Sequence, residues 1–120
     1  MIEAVCHCGA VRVEVPAGPT AVSDCNCSIC RRLGALWAYY PSRQVNIRAA
    51  EAATVAYAWG DKMIAFHTCR TCGCTTHWSG LKPDYDRMGV NARLFEPTVL
   101  SGVKIRRIDG ADTWKVLSET

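Results

Sequence analysis

Cysteine spacing is the feature that most restricts what this sequence can fold into. The chain has eight cysteines in 120 residues, and most of them fall into three tight groups with the patterns C-x-C, C-x-C-x-x-C and C-x-x-C. Thiols one or two residues apart favour a shared metal ion over separate disulfides, above all in a reducing compartment. The sequence therefore predicts metal binding by Cys6 and Cys8, by Cys25, Cys27 and Cys30, and by Cys69 and Cys72.

The three groups differ in whether they can complete a site. A structural zinc normally has four protein ligands, whereas a catalytic zinc keeps one position for water or substrate. The first and third groups together supply four thiols, and each pair is followed by a glycine that permits a tight turn, Gly9 and Gly73. We interpret them as one structural zinc site. The middle group supplies three thiols, so we interpret it as a second, catalytic-type zinc site, expected to be the more labile.

The fourth ligand of this second zinc is left open by the sequence. Water or substrate is one choice, and Cys74 or His77 is another. Cys74 is equally typical of a spare thiol or a small buried hydrophobe, and a histidine beside a tryptophan is commonly a packing residue. A closed site would make the protein purely structural.

Composition and charge place the chain among soluble globular domains. Hydrophobic residues make up 49% and charged residues 21% of the sequence, which excludes a disordered or fibrous protein. The formal charge of +3 counts every cysteine as neutral. Four thiolates around one Zn²⁺ lower the charge by two and three thiolates lower it by one, so the basicity disappears on metal binding. With no Lys/Arg run longer than two residues, we expect no nucleic-acid partner.

The N-terminal segment has no basic region followed by an apolar run, and no stretch approaches the ~20 apolar residues of a membrane helix. We therefore expect a cytoplasmic protein without a membrane partner. The length favours one domain over residues 1–120.

Alternating apolar residues predict a mainly β fold. Val11, Val13 and Val15 alternate with charged residues, as in a half-buried strand. Further strands are predicted over 21–24, 36–40, 45–48, 54–59, 63–68, 87–93 and 103–108, with short helical turns over 28–33 and near 96–98. The middle cysteine group then lies where a strand passes into a helical turn.

The sequence also resembles the glutathione-dependent formaldehyde-activating (GFA) enzyme family, whose domain occurs in centromere protein V. The matching segments span nearly the whole chain, and the three cysteine motifs occurring together in order make the resemblance specific. They are Cys6-His7-Cys8-Gly9-Ala10-Val11-Arg12, Cys25-Asn26-Cys27-Ser28-Ile29-Cys30-Arg31-Arg32, Cys69-Arg70-Thr71-Cys72-Gly73, Gly89-Val90-Asn91-Ala92-Arg93 and Asp109-Gly110-Ala111-Asp112-Thr113-Trp114.

The resemblance implies a mostly antiparallel β-tent fold with one structural and one catalytic zinc. Position by position, the first and third cysteine groups match the family's structural ligands and the middle group matches its catalytic ligands. The implied activity is that of a carbon–sulfur lyase run in reverse, in which glutathione adds to formaldehyde to give S-hydroxymethylglutathione. A substrate thiol in the open zinc position would be the nucleophile.

Hypotheses from three classes follow. The incomplete middle group favours a zinc-dependent enzyme that adds glutathione or a similar thiol to formaldehyde or a related small carbonyl. The alternative is a non-catalytic zinc-binding module that captures a thiol or a protein partner, and the third is the purely structural protein. For the pocket wall of an enzyme we predict Arg31, Trp37, Tyr39 and Asn91.

Overall fold

The structure is a computed structural model that describes residues 1–120, and it confirms the expected mainly β fold. The only α-helix, α1, covers Cys30–Leu33, and none of the helices is long and apolar enough to cross a membrane. Single turns of 3-10 helix cover Ser42–Gln44, Ala92–Leu94 and Pro97–Leu100. The strands are β1 (Ile2–Val5), β2 (Val11–Val15), β3 (Ala21–Cys25), β4 (Trp37–Pro41), β5 (Asn46–Ala49), β6 (Thr54–Tyr57), β7 (Ile64–Cys69), β8 (Thr75–Gly80), β9 (Arg87–Asn91), β10 (Lys104–Ile108) and β11 (Val116–Glu119).

A small antiparallel sheet is formed by strands in the order β1-β2-β5. The alternation predicted for β2 is confirmed, because Val11, Val13 and Val15 are completely buried while Arg12 between them is exposed. These three valines belong to the main hydrophobic core, which also contains Ala38 of β4 and Val90 of β9. The small sheet thus covers one face of the larger sheet.

The larger sheet has eight strands in the order β11-β10-β3-β4-β9-β8-β7-β6. Its neighbours pair antiparallel except for β10 and β3, which are parallel. Register in that parallel pair sets Ile108 beside Cys25. The chain that follows β10 therefore emerges next to the middle cysteine group, although the two are far apart in sequence.

The two faces of the eight-stranded sheet carry different side chains because successive residues of a strand point to opposite faces. Ala38 and Tyr40 of β4 belong to the main core, whereas Trp37 belongs to a second cluster on the other face. Phe66 and Trp78, which are paired across β7 and β8, join Trp37 there. We call this second surface the aromatic face.

A stacked pair of histidines, of which His77 is buried and His67 is partly buried, lies on neighbouring strands of the same sheet. His77 is only 4% exposed, and its ring stacks on His67 with 4.3 Å between ring centroids. The His77 Nδ1 atom is 2.8 Å from the Thr76 hydroxyl oxygen, and the His67 Nε2 atom is 2.7 Å from the Ser79 hydroxyl oxygen. Burial, together with the neighbouring His67, lowers the pKa of His77 from 6.5 to about 3. The ring of His77 is therefore neutral at physiological pH.

This buried ring predicts acid sensitivity. The unfolded chain takes up a proton at His77 near pH 6.5, whereas the folded chain does so only near pH 3, so stability is full above pH 6.5 and falls as the pH drops below it. Between pH 7 and pH 5 we expect a loss of about 2 kcal/mol in the free energy of unfolding from this group. Urea unfolding at several pH values measures the loss.

The matched variant His77→Gln keeps a hydrogen-bonding side chain but does not titrate. Loss of metal on acidification affects both proteins, so the difference between them isolates the histidine. Parallel pH profiles for the two proteins would contradict the prediction.

Candidate metal centres and the adjoining cavity

Cys6, Cys8, Cys69 and Cys72 converge into what we call the four-cysteine cluster. Their sulfur atoms all lie within 4.8 Å of one another, and the distances from Cys8 Sγ are 3.7 Å to Cys6 Sγ and 3.6 Å to Cys69 Sγ. Tetrahedral zinc with Zn–S bonds of about 2.3 Å sets its sulfur atoms about 3.8 Å apart. All eight cysteines are free thiols, so the spacing fits a metal ion.

Two similar tight turns present these thiols. Gly9, with φ of 84°, donates its amide to the Cys6 carbonyl at 3.0 Å, and Gly73, with φ of 82°, donates to the Cys69 carbonyl at 2.9 Å. Residues with a side chain rarely adopt such φ values, which explains the glycine after each cysteine pair. The turns aim backbone amides at sulfur: amides of Cys74 and then Cys8 lower the pKa of Cys72 to about 5.

The four-cysteine cluster joins the two sheets. Cys6 directly follows β1 of the small sheet, and Cys69 ends β7 of the large sheet. Both are almost fully buried and belong to the main core. A metal ion bound there would fix one sheet against the other.

Cys25, Cys27 and Cys30 form the three-cysteine cluster, whose sulfur atoms also lie within 4.8 Å of one another. Cys25 ends β3 and Cys30 begins α1, so the cluster lies at the predicted passage from strand to helix. The Cys30 amide lies 3.4 Å from Cys27 Sγ, and the Trp37 indole nitrogen lies 3.4 Å from Cys30 Sγ. Donors directed at sulfur favour thiolates, which are the metal-binding form of cysteine.

The surroundings of Cys25 favour its thiolate form. The Cys30 thiol, followed by amides of Cys27 and Gly110, lowers the pKa of Cys25 to about 6. The same contact with Cys25, together with burial, raises the pKa of Cys30. Without metal, these contacts stabilise a thiolate at Cys25.

Neither candidate protein ligand for the fourth position lies at the three-cysteine cluster. Cys74 lies beside Cys72, near the four-cysteine cluster. His77 stacks on His67 and pairs in register with Val90, a residue of the main core. The group of possible ligands contains only the three cysteines. The described chain therefore brings three thiols and no further cysteine, histidine or carboxylate to this point.

A cavity of about 430 Å³ opens onto the three-cysteine cluster along the aromatic face. All three thiols line it, as do all four tryptophans of the protein. The predicted wall residues Trp37 and Tyr39 are among the lining because alternate residues of β4 point the same way. Sequence reasoning missed the rest of the aromatic wall, namely Trp59, Phe66, Trp78, Tyr85 and Trp114.

The other two predicted wall residues lie outside the cavity lining. Arg31 is exposed on α1. Asn91 is buried, and its side-chain amide donates to the Thr75 carbonyl at 2.8 Å while its side-chain oxygen accepts from the Arg93 amide at 3.2 Å. With both ends occupied by backbone partners, Asn91 caps the 3-10 helix that follows β9.

The loop after β10 closes one side of the cavity at the cysteines. Asn26, between two of the thiols, donates to Asp109 Oδ1 at 3.0 Å and accepts from the Ala111 amide at 3.0 Å. Asp109 also accepts from the Thr113 hydroxyl at 2.9 Å. Gly110 is held so close that a Cβ there would overlap Cys25 Sγ. We call these contacts the Asn26 clamp.

Residues 1–103 match the family described as glutathione-dependent formaldehyde-activating enzyme, GFA. The chain belongs to the GFA family. A solved crystal structure of a Rhodobacter sphaeroides protein is similar to it, with 30% sequence identity and a TM-score of 0.68 over 80% of this chain and 89% of that one. The GFA match ends before β10, so the Asn26 clamp draws on a segment that the match does not reach.

Each cluster predicts its own response to loss of a thiol. Cys69→Ser should remove one metal ion and lower the melting temperature by more than about 10 °C, because the four-cysteine cluster joins the sheets. Cys25→Ser should remove the other ion and lower the melting temperature by less than about 5 °C, since the second cluster lies beside a cavity. Metal analysis and thermal melting test both statements.

Cys74→Ser is the matched control, because Cys74 belongs to neither group of candidate ligands. It should keep both metal ions. Equal thermal losses for Cys69→Ser and Cys25→Ser would show that both clusters are structural.

The Asn26 clamp predicts a selective effect on the three-cysteine cluster. Asn26→Ala removes both contacts with the 109–114 loop, so the zinc affinity of that cluster should fall by roughly 10-fold. Competition with a chromogenic chelator measures the zinc affinity of each cysteine cluster. Asn46→Ala, which removes a hydrogen bond to Glu14 instead, is the control. A loss of the same size in both variants would contradict the clamp.

Proposed function

We propose that this protein is a zinc-dependent enzyme of the carbon–sulfur lyase type that adds a thiol, glutathione or similar, to formaldehyde or a related small carbonyl. The observation that carries the proposal is a cluster of three cysteines, with no fourth protein ligand, at the wall of a cavity. An open coordination position beside a cavity is typical of catalytic zinc. Membership of the GFA family supports the same reaction, which resembles that of S-(hydroxymethyl)glutathione synthase.

The two clusters take different roles in this proposal. Cys6, Cys8, Cys69 and Cys72 hold a structural zinc, since four thiols complete a tetrahedron. Cys25, Cys27 and Cys30 would hold the second zinc, which when bound would supply an open position that lowers the pKa of a substrate thiol. Three thiolates donate strongly to the metal, so activation of the thiol rather than of the carbonyl is the main contribution.

The bond changes balance without any further reactant. The S–H bond of the thiol breaks and a bond forms between its sulfur and the carbonyl carbon. The electron pair of the C=O π bond moves to oxygen, which takes up a proton. The reverse reaction retraces these steps. The aromatic walls keep water away from the cysteines and hold the thiol and the carbonyl compound close together. The reaction between two separate molecules then becomes effectively unimolecular.

Tyr39 is the residue that we propose as the proton donor to the carbonyl oxygen. It lines the cavity together with the three thiols. Burial of its ring raises the pKa of Tyr39, opposed by the nearby Ser23 hydroxyl and Arg87, so its hydroxyl is protonated at neutral pH. A neutral hydroxyl can donate a proton and recover it in the reverse direction.

The test uses a small neutral thiol that makes no demand on the rest of the cavity. With 2-mercaptoethanol and ¹³C-formaldehyde at equilibrium, exchange NMR measures how fast the adduct forms and breaks. Zinc-loaded protein should accelerate this exchange, and Tyr39→Phe should reduce the acceleration on the order of 10²-fold with thiol affinity unchanged. Cys27→Ser should abolish both thiol binding and acceleration.

Two results would count against the proposal in different ways. Saturable thiol binding without acceleration would identify the non-catalytic binding module. Thiol binding that persists in Cys27→Ser would show that the thiol does not bind at the three-cysteine cluster. Free zinc at equal concentration serves as the control for metal released from the protein.

A further inference from the structure

The chemistry of the cavity wall restricts which thiol this site accepts. Building on the proposed function, we infer that the substrate thiol has an uncharged, apolar body that is flat or short, and that glutathione is a poor substrate. The argument uses the charge, the shape and the mouth of the cavity.

Charge is the first restriction. Of the sixteen residues that line the cavity, thirteen are hydrophobic, and none is lysine, arginine or histidine. Apart from the three cysteines, the only lining residue that carries a charge is Asp61, a carboxylate whose Oδ1 accepts a hydrogen bond from the Met63 amide. Glutathione carries two carboxylates and one ammonium group at neutral pH. Its carboxylates would lose water here without gaining a cationic partner, which is costly.

The arginine that packs on the cavity wall, Arg87, does not relieve this deficit. The Arg87 guanidinium lies over the Tyr39 ring, 4.5 Å from the ring centroid, and 5.7 Å from that of Trp78. Arg87 lines a separate shallow depression that shares only Tyr39 with the cavity. The Arg87 charge therefore lies outside the cavity lining and interacts with the faces of the Tyr39 and Trp78 rings.

Shape is the second restriction. Trp37, Phe66 and Trp78 are each at most 4% exposed, so the inner wall is fixed by packing. Their rings meet obliquely, with 5.9 Å between the centroids of Trp37 and Phe66. Trp78 and Tyr85 meet edge to face at 6.1 Å. Flat faces inclined to each other suit a flat or short apolar group, which gains from contact with them and has no polar atoms to satisfy.

The mouth of the cavity is also aromatic. Trp59 is 44% exposed and Trp114 is 70% exposed, yet both line the cavity. Trp114 has φ of 62°, a conformation that costs free energy for a residue with a side chain, and its amide donates to the Asp109 carbonyl at 2.8 Å. The Asn26 clamp therefore holds an exposed indole at the entrance, where an apolar body would cover it.

All four tryptophans line the cavity, so intrinsic fluorescence reports its occupation directly. We would titrate zinc-loaded protein with phenylmethanethiol, with phenylmethanol, which has the same body without the thiol, and with reduced glutathione. The expected result is a dissociation constant for phenylmethanethiol at least 10-fold below those of the other two ligands. Free N-acetyltryptophanamide corrects for collisional quenching.

The matched variants test the wall itself. Trp114→Ala should weaken phenylmethanethiol binding about 3- to 10-fold and leave glutathione binding unchanged, since an aromatic contact is removed from an exposed position. Leu81→Ala removes an exposed apolar side chain outside the cavity lining and should change neither.

The outcomes separate this inference from the proposed function. Glutathione binding as tightly as phenylmethanethiol, or more tightly, would overturn the inference while the thiol reaction stands. Equal binding of phenylmethanethiol and phenylmethanol would show that no thiol reaches the metal, which overturns the proposed function and the inference together. Equal effects of Trp114→Ala and Leu81→Ala on phenylmethanethiol binding would show that the ligand does not bind in this cavity.

Discussion

The contact on which the fold depends is the convergence of two tight turns at the four-cysteine cluster. One turn follows β1 of the small sheet and the other follows β7 of the large sheet, so four sulfur atoms meet across the boundary between the layers. Four thiolates this close repel one another, and a divalent cation turns that repulsion into attraction. The buried valines of β2 supply the apolar contact between the same two layers. In a chain of this length, a metal ion bound at the four-cysteine cluster would add to the stability that core packing gives the two layers.

The small sheet covers one face of the large sheet, and the opposite, aromatic face lines the cavity. Alternation along β4 sends Ala38 and Tyr40 into the core and Trp37 and Tyr39 toward the cavity. Gly89 belongs to the same arrangement, because any Cβ there would overlap the Trp78 indole. The inner wall of Trp37, Phe66 and Trp78 is therefore a product of the strand pattern. Much of the remaining lining, including Cys27, Tyr85 and Trp114, lies in the turns between strands.

Short-range patterns in the sequence predicted the parts of this protein that are local. The predicted division of the cysteines into a group of four and a group of three is confirmed by the positions of their sulfur atoms. It could be predicted because thiols one or two residues apart lie in the same turn, and because the middle segment contains only three of them. The mainly β fold follows from period-two alternation, as in β2. The parallel pairing of β10 with β3 could not be predicted, because register between distant strands leaves no local pattern. Phe66 and Trp78 were missed as wall residues because the pairing of β9 with β4, which brings their strands toward Trp37, joins segments distant in sequence. Asn91 was placed in the wall because a buried cap and a ligand-binding amide look alike in a sequence.

Electrostatics connects the three-cysteine cluster with the aromatic lining around it. Three thiolates around a divalent cation would carry a net charge of about −1, and a thiolate ligand added to them would make it about −2. In a wall of indole and phenyl groups this charge is poorly screened, so a second anionic group on the ligand would be repelled over a longer range than in water. Donors from Trp37 and from the amides of Cys30 and Gly110 compensate the charge at the sulfur atoms themselves. The rest of the cavity lining adds no cation and one further carboxylate, Asp61, so the surroundings of the cluster favour a neutral ligand body over an anionic one.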